Sequence, residues 1–326
     1  MLSHTLSALG WIGQRGPLAL TASVLIGMTL PSLSAYARPY LTAAVFALLM
    51  LAFLRVNPQA VRQRVKRPVI ILLATAWMML IVPLIAGIAI WFYGADQIDP
   101  QILLIIFIVT AAPSVMSAPA FIYLMGLDGA LSLAIMIAAT SLTPITAPLM
   151  AEFLLGSSLN LDSLDLAVRF AALLGGSLTV AMVIRKLIGS ARIAASKTRI
   201  DGLNVLVLLF FAVAAMHGVA HSFASRPIFT FAIAALTFGV AFFQIGITLL
   251  IFSASNRADA FAIAHSAGNR NMGLMVAALG GTVPEFTWLW FALGQLPIYM
   301  LPMILKPLAR HFILNKNAPK TVSDLT

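Results

Sequence analysis

Ten apolar stretches separated by short polar loops constrain this chain more than any other feature of its sequence. Most of them approach or exceed the roughly 20 residues that an α-helix needs to cross a bilayer. They lie at about 17–35, 38–54, 68–93, 101–125, 130–154, 164–184, 203–222, 228–253, 258–279 and 286–305. Composition agrees, because 61% of the residues are hydrophobic and only 9% are charged. The sequence therefore predicts an all-α integral membrane protein with ten transmembrane helices.

The charges of the loops predict how these helices are oriented. Basic residues follow the second, sixth and tenth segments: Arg55, Arg62, Arg64, Lys66, Arg67, Arg185, Lys186, Arg192, Lys197, Arg199, Lys306, Arg310, Lys316 and Lys320. The opposite loops carry acidic residues: Asp96, Asp99, Asp162, Asp165 and Glu285. By the positive-inside rule, both termini are cytoplasmic and the loops alternate without conflict. We therefore expect a multi-pass protein of the cell membrane.

The ten segments divide into two similar halves. Each half has five spans, an odd number, so the second half enters the membrane from the opposite side and forms an inverted repeat. The predicted organisation is a cytoplasmic N-terminal segment (1–16), a first five-helix repeat (17–154), a second repeat (164–305) and a basic cytoplasmic tail (306–326). Residues 155–202 hold an external loop, the sixth helix and a basic cytoplasmic linker.

Two segments are interrupted at matching places in the two halves. The fourth contains Pro113 and Pro119, with Ser114 and Ser117 between them, and the ninth contains the run Gly-Asn-Arg-Asn-Met-Gly at 268–273. Each interruption falls about twelve residues into its segment, which is roughly 18 Å of helix. Irregular backbone at that depth requires protein or a water-filled cavity to satisfy its polar groups. A matched pair of interruptions points to the substrate site of a transporter.

Arg270 is the charge that the sequence places at the middle of the membrane. An arginine there costs roughly 2.5 to 3.5 kcal/mol on insertion scales, so it should face the protein interior. Every acidic residue lies in a loop, a tail or near a segment end, so the sequence predicts no carboxylate partner. Two compatible uses remain open: bonding the carbonyls freed by the interruptions, and binding an anion with its planar fork of donors.

Other polar residues flank the interruptions and have competing interpretations. Serines and asparagines there cap helix ends or bind a ligand, and both roles remain open. His265 is more typical of a neutral, hydrogen-bonded side chain than of a proton carrier. Away from the interruptions, Gln244 is expected to tie two helices together, and Arg169 to pair with Asp165 one helical turn earlier. The candidate substrate-binding residues are Pro113, Ser114, Ser117, Pro119, His265, Ser266, Asn269, Arg270 and Asn271.

Several function classes find no support in the sequence. There is no serine–histidine–carboxylate set, glycine-rich phosphate loop or metal-spaced histidine group, so we expect neither an enzyme nor a cofactor. The chain has no cysteine, which excludes disulfides and thiolate metal sites. Its net charge of +10 resides in short loops between apolar segments, so nucleic acid is not an expected partner.

The interrupted segments resemble those of the bile acid/sodium symporter family. That family carries a proline, two glycines and, after two more residues, Ser-Asn in its fourth span, where residues 113–119 here read Pro-Ser-Val-Met-Ser-Ala-Pro. In its ninth span it carries Glu and then Gly-x-Gln-Asn-x-Gly-Leu, where residues 266–274 here read Ser-Ala-Gly-Asn-Arg-Asn-Met-Gly-Leu. The resemblance implies that the two interrupted helices cross each other.

The resemblance also implies that the sodium sites of the family are degenerate here. Its Ser-Asn pair falls at Ala118 and Pro119, its glutamate at Ser266 and its glutamine at Arg270. Of the remaining ligands, one falls at Met136, a glutamine of the third span falls near Met78, and Ser132 alone is kept. Hard cations need several oxygen ligands. Sodium is therefore not expected at Ala118, Ser132, Met136 and Ser266, and Arg270 would supply the charge that bound sodium gives in relatives.

The resemblance further implies that the helices form two domains. Segments three to five and eight to ten would form a core domain that contains the crossing, and segments one, two, six and seven a flatter panel. Substrate would lie between core and panel and be carried by rocking one against the other. Arg270 is expected within a few ångströms of the first interruption, facing the cavity between core and panel.

These observations favour a carrier for a small organic anion that works by alternating access without two-sodium coupling. An alternative is a sodium-dependent, bile-acid-like symporter with a rearranged ion site. An alternative of another class is a membrane sensor that kept the fold but does not transport. The expected partners are the anionic substrate and membrane lipids, and the oligomeric state is left open.

Overall fold

The computed structural model describes residues 26–55, 68–156, 161–280, 283–309 and 313. Its α-helices are α1 (Pro31–Ala37), α2 (Leu41–Arg55), α3 (Pro68–Ala76), α4 (Val82–Tyr93), α5 (Pro100–Ala111), α6 (Ala118–Leu124), α7 (Ala130–Leu155), α8 (Ser163–Ile188), α9 (Ser190–Ala195), α10 (Lys197–Ala215), α11 (Val219–Ser225), α12 (Pro227–Ile251), α13 (Arg257–Gly268), α14 (Met272–Leu279), α15 (Glu285–Leu293) and α16 (Gln295–Ala309). Short 3-10 turns cover Arg38–Tyr40 and Ala95–Gln97, and a π-helical turn covers Trp77–Ile81. The prediction of an all-α chain is confirmed for these residues.

Within the described ranges, seven continuous helical stretches are long and apolar enough to cross a membrane. They are Pro31–Arg55, Pro68–Tyr93, Ala130–Leu155, Ser163–Ile188, Lys197–Ser225, Pro227–Ile251 and Glu285–Ala309. The helix pairs α5–α6 and α13–α14 lie between them in the chain, and each pair consists of two short helices. The described helices therefore include long apolar spans and two pairs of short helices.

Side-chain caps fix where three of these helices begin. The carboxylates of Asp99 and Asp162 accept hydrogen bonds from the backbone N–H groups of Gln101 (2.7 Å) and Leu164 (2.8 Å). The amide oxygen of Asn256 accepts one from Ala258 N–H at 2.9 Å. Such caps satisfy donors that a helix start leaves free. Two of the acidic loop residues of the sequence, Asp99 and Asp162, thus also define the first turns of α5 and α8, and Asn256 defines that of α13.

The structure corrects the predicted boundary between the first two segments. Most of the segment predicted at 17–35 lies outside the described residues. The turn expected between residues 35 and 38 is wrong, because helical structure continues through 31–55. Pro39 is accommodated in the first turn of the 3-10 stretch, where the missing N–H of a proline costs no hydrogen bond. Pro39 is therefore compatible with one continuous helical stretch.

The interrupted helices lie at the centre of the packing. Nine of the twelve residues of α13 and all eight of α14 are buried, and α5 contributes seven buried residues to the largest apolar cluster. Helix α13 packs against α12 and α7, whereas α2 packs against α8, α10 and α14. The long apolar helices therefore enclose the two interruptions.

Candidate functional site at two interrupted helices

Pro113 determines where the first interruption begins. The residue before a proline disfavours helical geometry, and Ala112 accordingly adopts an extended conformation (φ −67°, ψ 144°) directly after α5. Helix α6 begins six residues later, at Ala118, with Pro119 in its first turn. The segment between α5 and α6 therefore leaves the helical hydrogen-bond ladder, and its backbone groups need other partners.

Two asparagines shape the second interruption. The side-chain amide of Asn269 donates to the carbonyl of His265 at 3.0 Å, at the end of α13. The side-chain oxygen of Asn271 accepts from Leu274 N–H at 3.1 Å and caps the start of α14. Both amides thus act as helix-end caps, one of the two roles that the sequence left open for them.

The two interruptions satisfy each other's backbone. The N–H of Asn271 donates to the carbonyl of Pro113 at 2.7 Å, and the N–H of Val115 donates to the carbonyl of Asn269 at 2.8 Å. These bonds form an antiparallel bridge between Ser114 and Arg270. The polar backbone that both helices expose is therefore paired within the protein, as irregular backbone surrounded by apolar helices requires.

Arg270 binds three carbonyl groups beside this bridge. Its Nε donates to Ala267 O at 2.7 Å, and its Nη1 donates to Ala112 O at 2.9 Å and to Met78 O at 3.0 Å. The side chain is only 3% exposed. The carbonyls of Ala112 and Ala267 belong to the C-terminal ends of α5 and α13, where a helix carries partial negative charge. The guanidinium therefore occupies a position that electrostatically suits a cation.

The third carbonyl is free because of a local defect in the third span. In the π-helical turn, Val82 N–H bonds to Trp77 O five residues back. In that register the next donor, for Met78 O, would be the N–H of Pro83, which proline lacks. Met78 O instead accepts from Arg270. The defect thus directs a third carbonyl toward the same guanidinium.

Arg270 also lines a small cavity. Its Nη2 is buried without a hydrogen-bond partner among the described residues. The cavity has a volume of about 30 Å³ and is lined by Val109, Thr237, Val240, Ala241, Gln244, Gly268, Arg270, Met272, Trp290, Gly294, Pro297 and Ile298. These residues come from α5 and from α12 to α16 or the turns between them. The cavity therefore lies among the helices expected for the core.

Gln244 connects two helices at this cavity. Its side-chain Nε2 lies 3.5 Å from the carbonyl of Val109, at the long end of the hydrogen-bond range. This contact links α12 to α5, in agreement with the interhelical role predicted for Gln244.

Several candidate side chains beside the interruptions lack a partner or bond to each other. The hydroxyls of Ser132 and Ser266 are 2.9 Å apart, and Ser266 also donates to Ala262 O at 2.8 Å. The His265 ring meets Phe121 edge to face at 6.1 Å. Within the described part of the chain, both ring nitrogens of His265, Ser114 Oγ and Asn269 Oδ1 are buried without a hydrogen-bond partner. The hydrogen bond expected for His265 is thus not observed there.

Other predicted residues form no described hydrogen bond with Arg270 or present no polar side-chain group. Ser117 precedes α6 and makes no side-chain cap, and Pro119 occupies the first turn of that helix. Ala118 and Met136 are buried apolar residues at the positions of family ion ligands. Arg169 forms the predicted ion pair with Asp165 at 2.8 Å, and both side chains are about half exposed, 48% and 53%.

Sequence reasoning missed the backbone acceptors of Arg270 and an aromatic contact elsewhere. The five-residue spacing of Met78 and Pro83 could have pointed to the freed carbonyl of Met78. That spacing matters only where the turn between them is π-helical, which the sequence does not show. The guanidinium of Arg38 lies 4.3 Å from the ring centre of Trp288, whose indole N–H donates to His217 O at 3.1 Å. No pattern in the sequence pointed to this contact.

The long apolar helices are those of a multi-pass membrane protein. The model of the sodium bile acid symporter family matches residues 42–226, more than half of the chain. The chain belongs to that family, which confirms the resemblance noted in its sequence. The matched region includes the first interruption and ends before the second. Comparison with individual curated proteins gives no match.

Proposed function

We propose that the protein is a secondary carrier that moves a small organic anion by alternating access, without sodium at the two sites typical of its family. Family membership and the apolar helices support transport. The observation that carries the sodium-independent part is the position of Arg270, whose guanidinium binds carbonyls of Met78, Ala112 and Ala267. A fixed cation there fills the electrostatic role of a bound ion.

The lost ion ligands support the same conclusion. Ala118 and Met136 present no side-chain oxygen, and the hydroxyls of Ser132 and Ser266 are bonded to each other. A sodium ion about 4 Å from the guanidinium would be repelled by about 4 kcal/mol at an effective dielectric constant of 20. Sodium at this site would therefore lack ligands and face a like charge.

The proposed architecture is ten spans in two inverted repeats, with α5–α6 and α13–α14 crossing at the middle of the membrane. Both α5 and α13 contain 12 residues, so each interruption would lie at a similar depth from its own side. Helix α2 packs mostly with α8 and α10 and also contacts α14 of the expected core, which supports a panel beside a core. Both termini would be cytoplasmic.

We assign the anion-recognising role to Arg270 and the polar groups around it. Its Nη2 makes no hydrogen bond, and Ser114 Oγ and the His265 ring nitrogens are also buried without a partner in the described ranges. Groups of this kind are costly to bury unless a ligand satisfies them in some state of the transport cycle. An anion would satisfy the arginine, and the hydroxyl and imidazole would fix its orientation.

A binding screen tests this function. Purified protein would be heated with a panel of small organic anions, in sodium and in potassium buffers of equal ionic strength. The proposal predicts that at least one anion raises the unfolding temperature equally in both buffers. Stabilisation in sodium alone would favour the symporter with a rearranged ion site. Stabilisation without uptake into proteoliposomes would favour the sensor.

A further inference from the structure

A line of ring contacts joins helices expected for the panel to helices expected for the core. The guanidinium of Arg38, in the 3-10 turn between α1 and α2, lies 4.3 Å from the ring centre of Trp288 in α15. The ring of Trp288 meets Phe291 edge to face at 5.4 Å, and Phe291 meets Phe211 of α10 in the same way at 6.1 Å. Because Arg38 and Phe211 belong to the expected panel, the line crosses from panel to core and back.

One end of this line touches the second interruption. A Cβ atom built on Gly273, two residues after Asn271, would lie 2.8 Å from Phe211 Cζ, so this ring lies directly against the backbone of α14. Phe291 and Phe211 are both buried. The contacts therefore lead from the first turn of α15 to the segment that pairs with the first interruption.

Two hydrogen bonds cross the same boundary between panel and core. The indole N–H of Trp288 donates to the carbonyl of His217, just after α10, at 3.1 Å. Thr42 Oγ1 of α2 donates to the carbonyl of Ala277 in α14 at 3.4 Å. Neutral hydrogen bonds and a single cation–π contact are each modest in strength. Contacts of this strength can form and break as two domains move.

These contacts lie at the end of the protein where α5 and α15 begin. The side-chain oxygen of Gln101, in the first turn of α5, accepts from Phe286 N–H at 3.3 Å, and its carbonyl accepts from Thr287 Oγ1 at 3.2 Å. Both helices follow acidic loops, which the proposed topology places outside. The same two bonds tie the first turn of α15, and with it Trp288, to α5 of the core.

We propose that Arg38, Trp288, Phe291 and Phe211 form the outer gate of the carrier, in its closed state. The inference deepens the proposed function and rests on it, because a gate is needed only where panel and core separate to admit a substrate. An anion that enters from outside would reach Arg270 only after Trp288 had parted from Arg38 and Phe291 from Phe211. The gate regulates access to the substrate site from one side of the membrane.

Cysteine labelling of the purified full-length protein tests the gate. The chain has no cysteine, so one introduced thiol reports alone. Ala277 is a suitable position, because it is 4% exposed and its carbonyl accepts the bond from Thr42. Ala277→Cys should react slowly with a polar maleimide. Adding Arg38→Gln should speed the reaction about 2- to 10-fold, because the closed state loses its cation–π contact and the open state gains population.

Two controls separate opening of the gate from general loosening of the fold. Arg226→Gln removes a cation–π contact with Phe229, three residues along the chain and 5.9 Å away, and should leave the labelling of Ala277→Cys unchanged. Ala139→Cys lies in a buried apolar cluster formed with α3 and α13, and it should stay unlabelled when Arg38→Gln is added.

The inference is overturned if neither Arg38→Gln nor Trp288→Leu speeds the labelling of Ala277→Cys, or if labelling rises equally at Ala139→Cys. Labelling requires no ligand, so this result is separate from the proposed function. If the gate fails its test, uptake of an organic anion would still uphold that function. Labelling that responds as expected, without uptake of any anion, would instead refute transport and leave a movement of panel against core.

Discussion

At the scale of single residues, Arg169 and Arg270 show how much burial changes the role of the same side chain. Arg169 is half exposed and pairs with Asp165 one helical turn away. Exposed pairs of this kind contribute about 0.2–1 kcal/mol to stability. Arg270 is buried and donates to carbonyls from three separate parts of the chain. The contribution of Arg270 to stability therefore depends on these hydrogen bonds as well as on its charge.

Arg270→Gln should fold but transport poorly. Glutamine keeps part of the hydrogen bonding and loses the charge, and hydrogen bonds to charged groups contribute about 1.5–3 kcal/mol. We therefore expect anion uptake by proteoliposomes to fall about 10- to 100-fold. Arg270→Lys should recover part of it, because an ammonium keeps the charge without the planar fork. Arg169→Gln is the matched control and should transport normally. If a well-folded Arg270→Gln protein showed normal uptake, Arg270 would have only a structural role.

The sequence predicted the position of Arg270 but not its hydrogen-bond partners. A charge in the middle of an apolar segment, beside glycines and asparagines, is visible as residue types. The carbonyls of Met78, Ala112 and Ala267 are not, because every residue carries one. They become acceptors only where the helical ladder is broken, and in the third span that break depends on the register around Pro83. Backbone partners of this kind can be identified only from the three-dimensional course of the chain.

At the scale of helices, close packing of α13 against α12 sets the position of the second interruption. Gly268 ends α13, and a Cβ atom built there would overlap Ile245 Cγ1 and lie 2.9 Å from the carbonyl of Ala241. The approach is thus closer than any larger residue allows. Because Asn269 and Arg270 follow directly, a shift of α13 would also displace their hydrogen bonds.

Gly268→Ala should therefore destabilise the protein. Overpacking of a tight interface costs about 1–3 kcal/mol, and thermal unfolding in detergent should show the loss. Gly239→Ala, on α12 itself, is the matched control, because a Cβ there has no neighbour within 4 Å among the described residues. In a helix interior it should stabilise by about 0.5–1 kcal/mol. Equal effects of the two substitutions would show that contact at Gly268 is not limiting.

The helices were predicted with uneven success, and local chemistry explains the difference. The segments predicted at 130–154 and 228–253 agree closely with α7 and α12, since long apolar runs have no competing interpretation. The turn near Pro39 was wrong because a proline in the first turn of a 3-10 stretch looks the same in sequence as one that ends a helix. The short helix α9 was missed within a basic linker.

At the scale of the whole molecule, reporter fusions test the inverted arrangement of the two halves. Fusions after Arg67 and Lys197 should report a cytoplasmic location, and fusions after Asp99 and Asp162 an external one, because basic loops remain inside. The second half would then run opposite to the first. Reversed signals in either half would remove the inverted repeat and, with it, the transport mechanism proposed from it.

The sodium-independent mechanism is also a property of the whole molecule. In this account, Arg270 holds the ends of α5 and α13 together permanently, whereas an ion would do so only when bound. A carrier of this kind gains no affinity from sodium, because a ligand shifts an equilibrium only through a difference in its own binding to the two states. Substrate affinity should therefore be set by the anion and by its competitors.

Titration of sodium against potassium at constant ionic strength, with binding of the transported anion as the readout, tests this claim most directly. The account predicts one dissociation constant across the whole series, because no step requires a bound sodium ion. A steep, sodium-specific increase in anion affinity would contradict it and would show that the chain rebuilt an ion site despite Arg270.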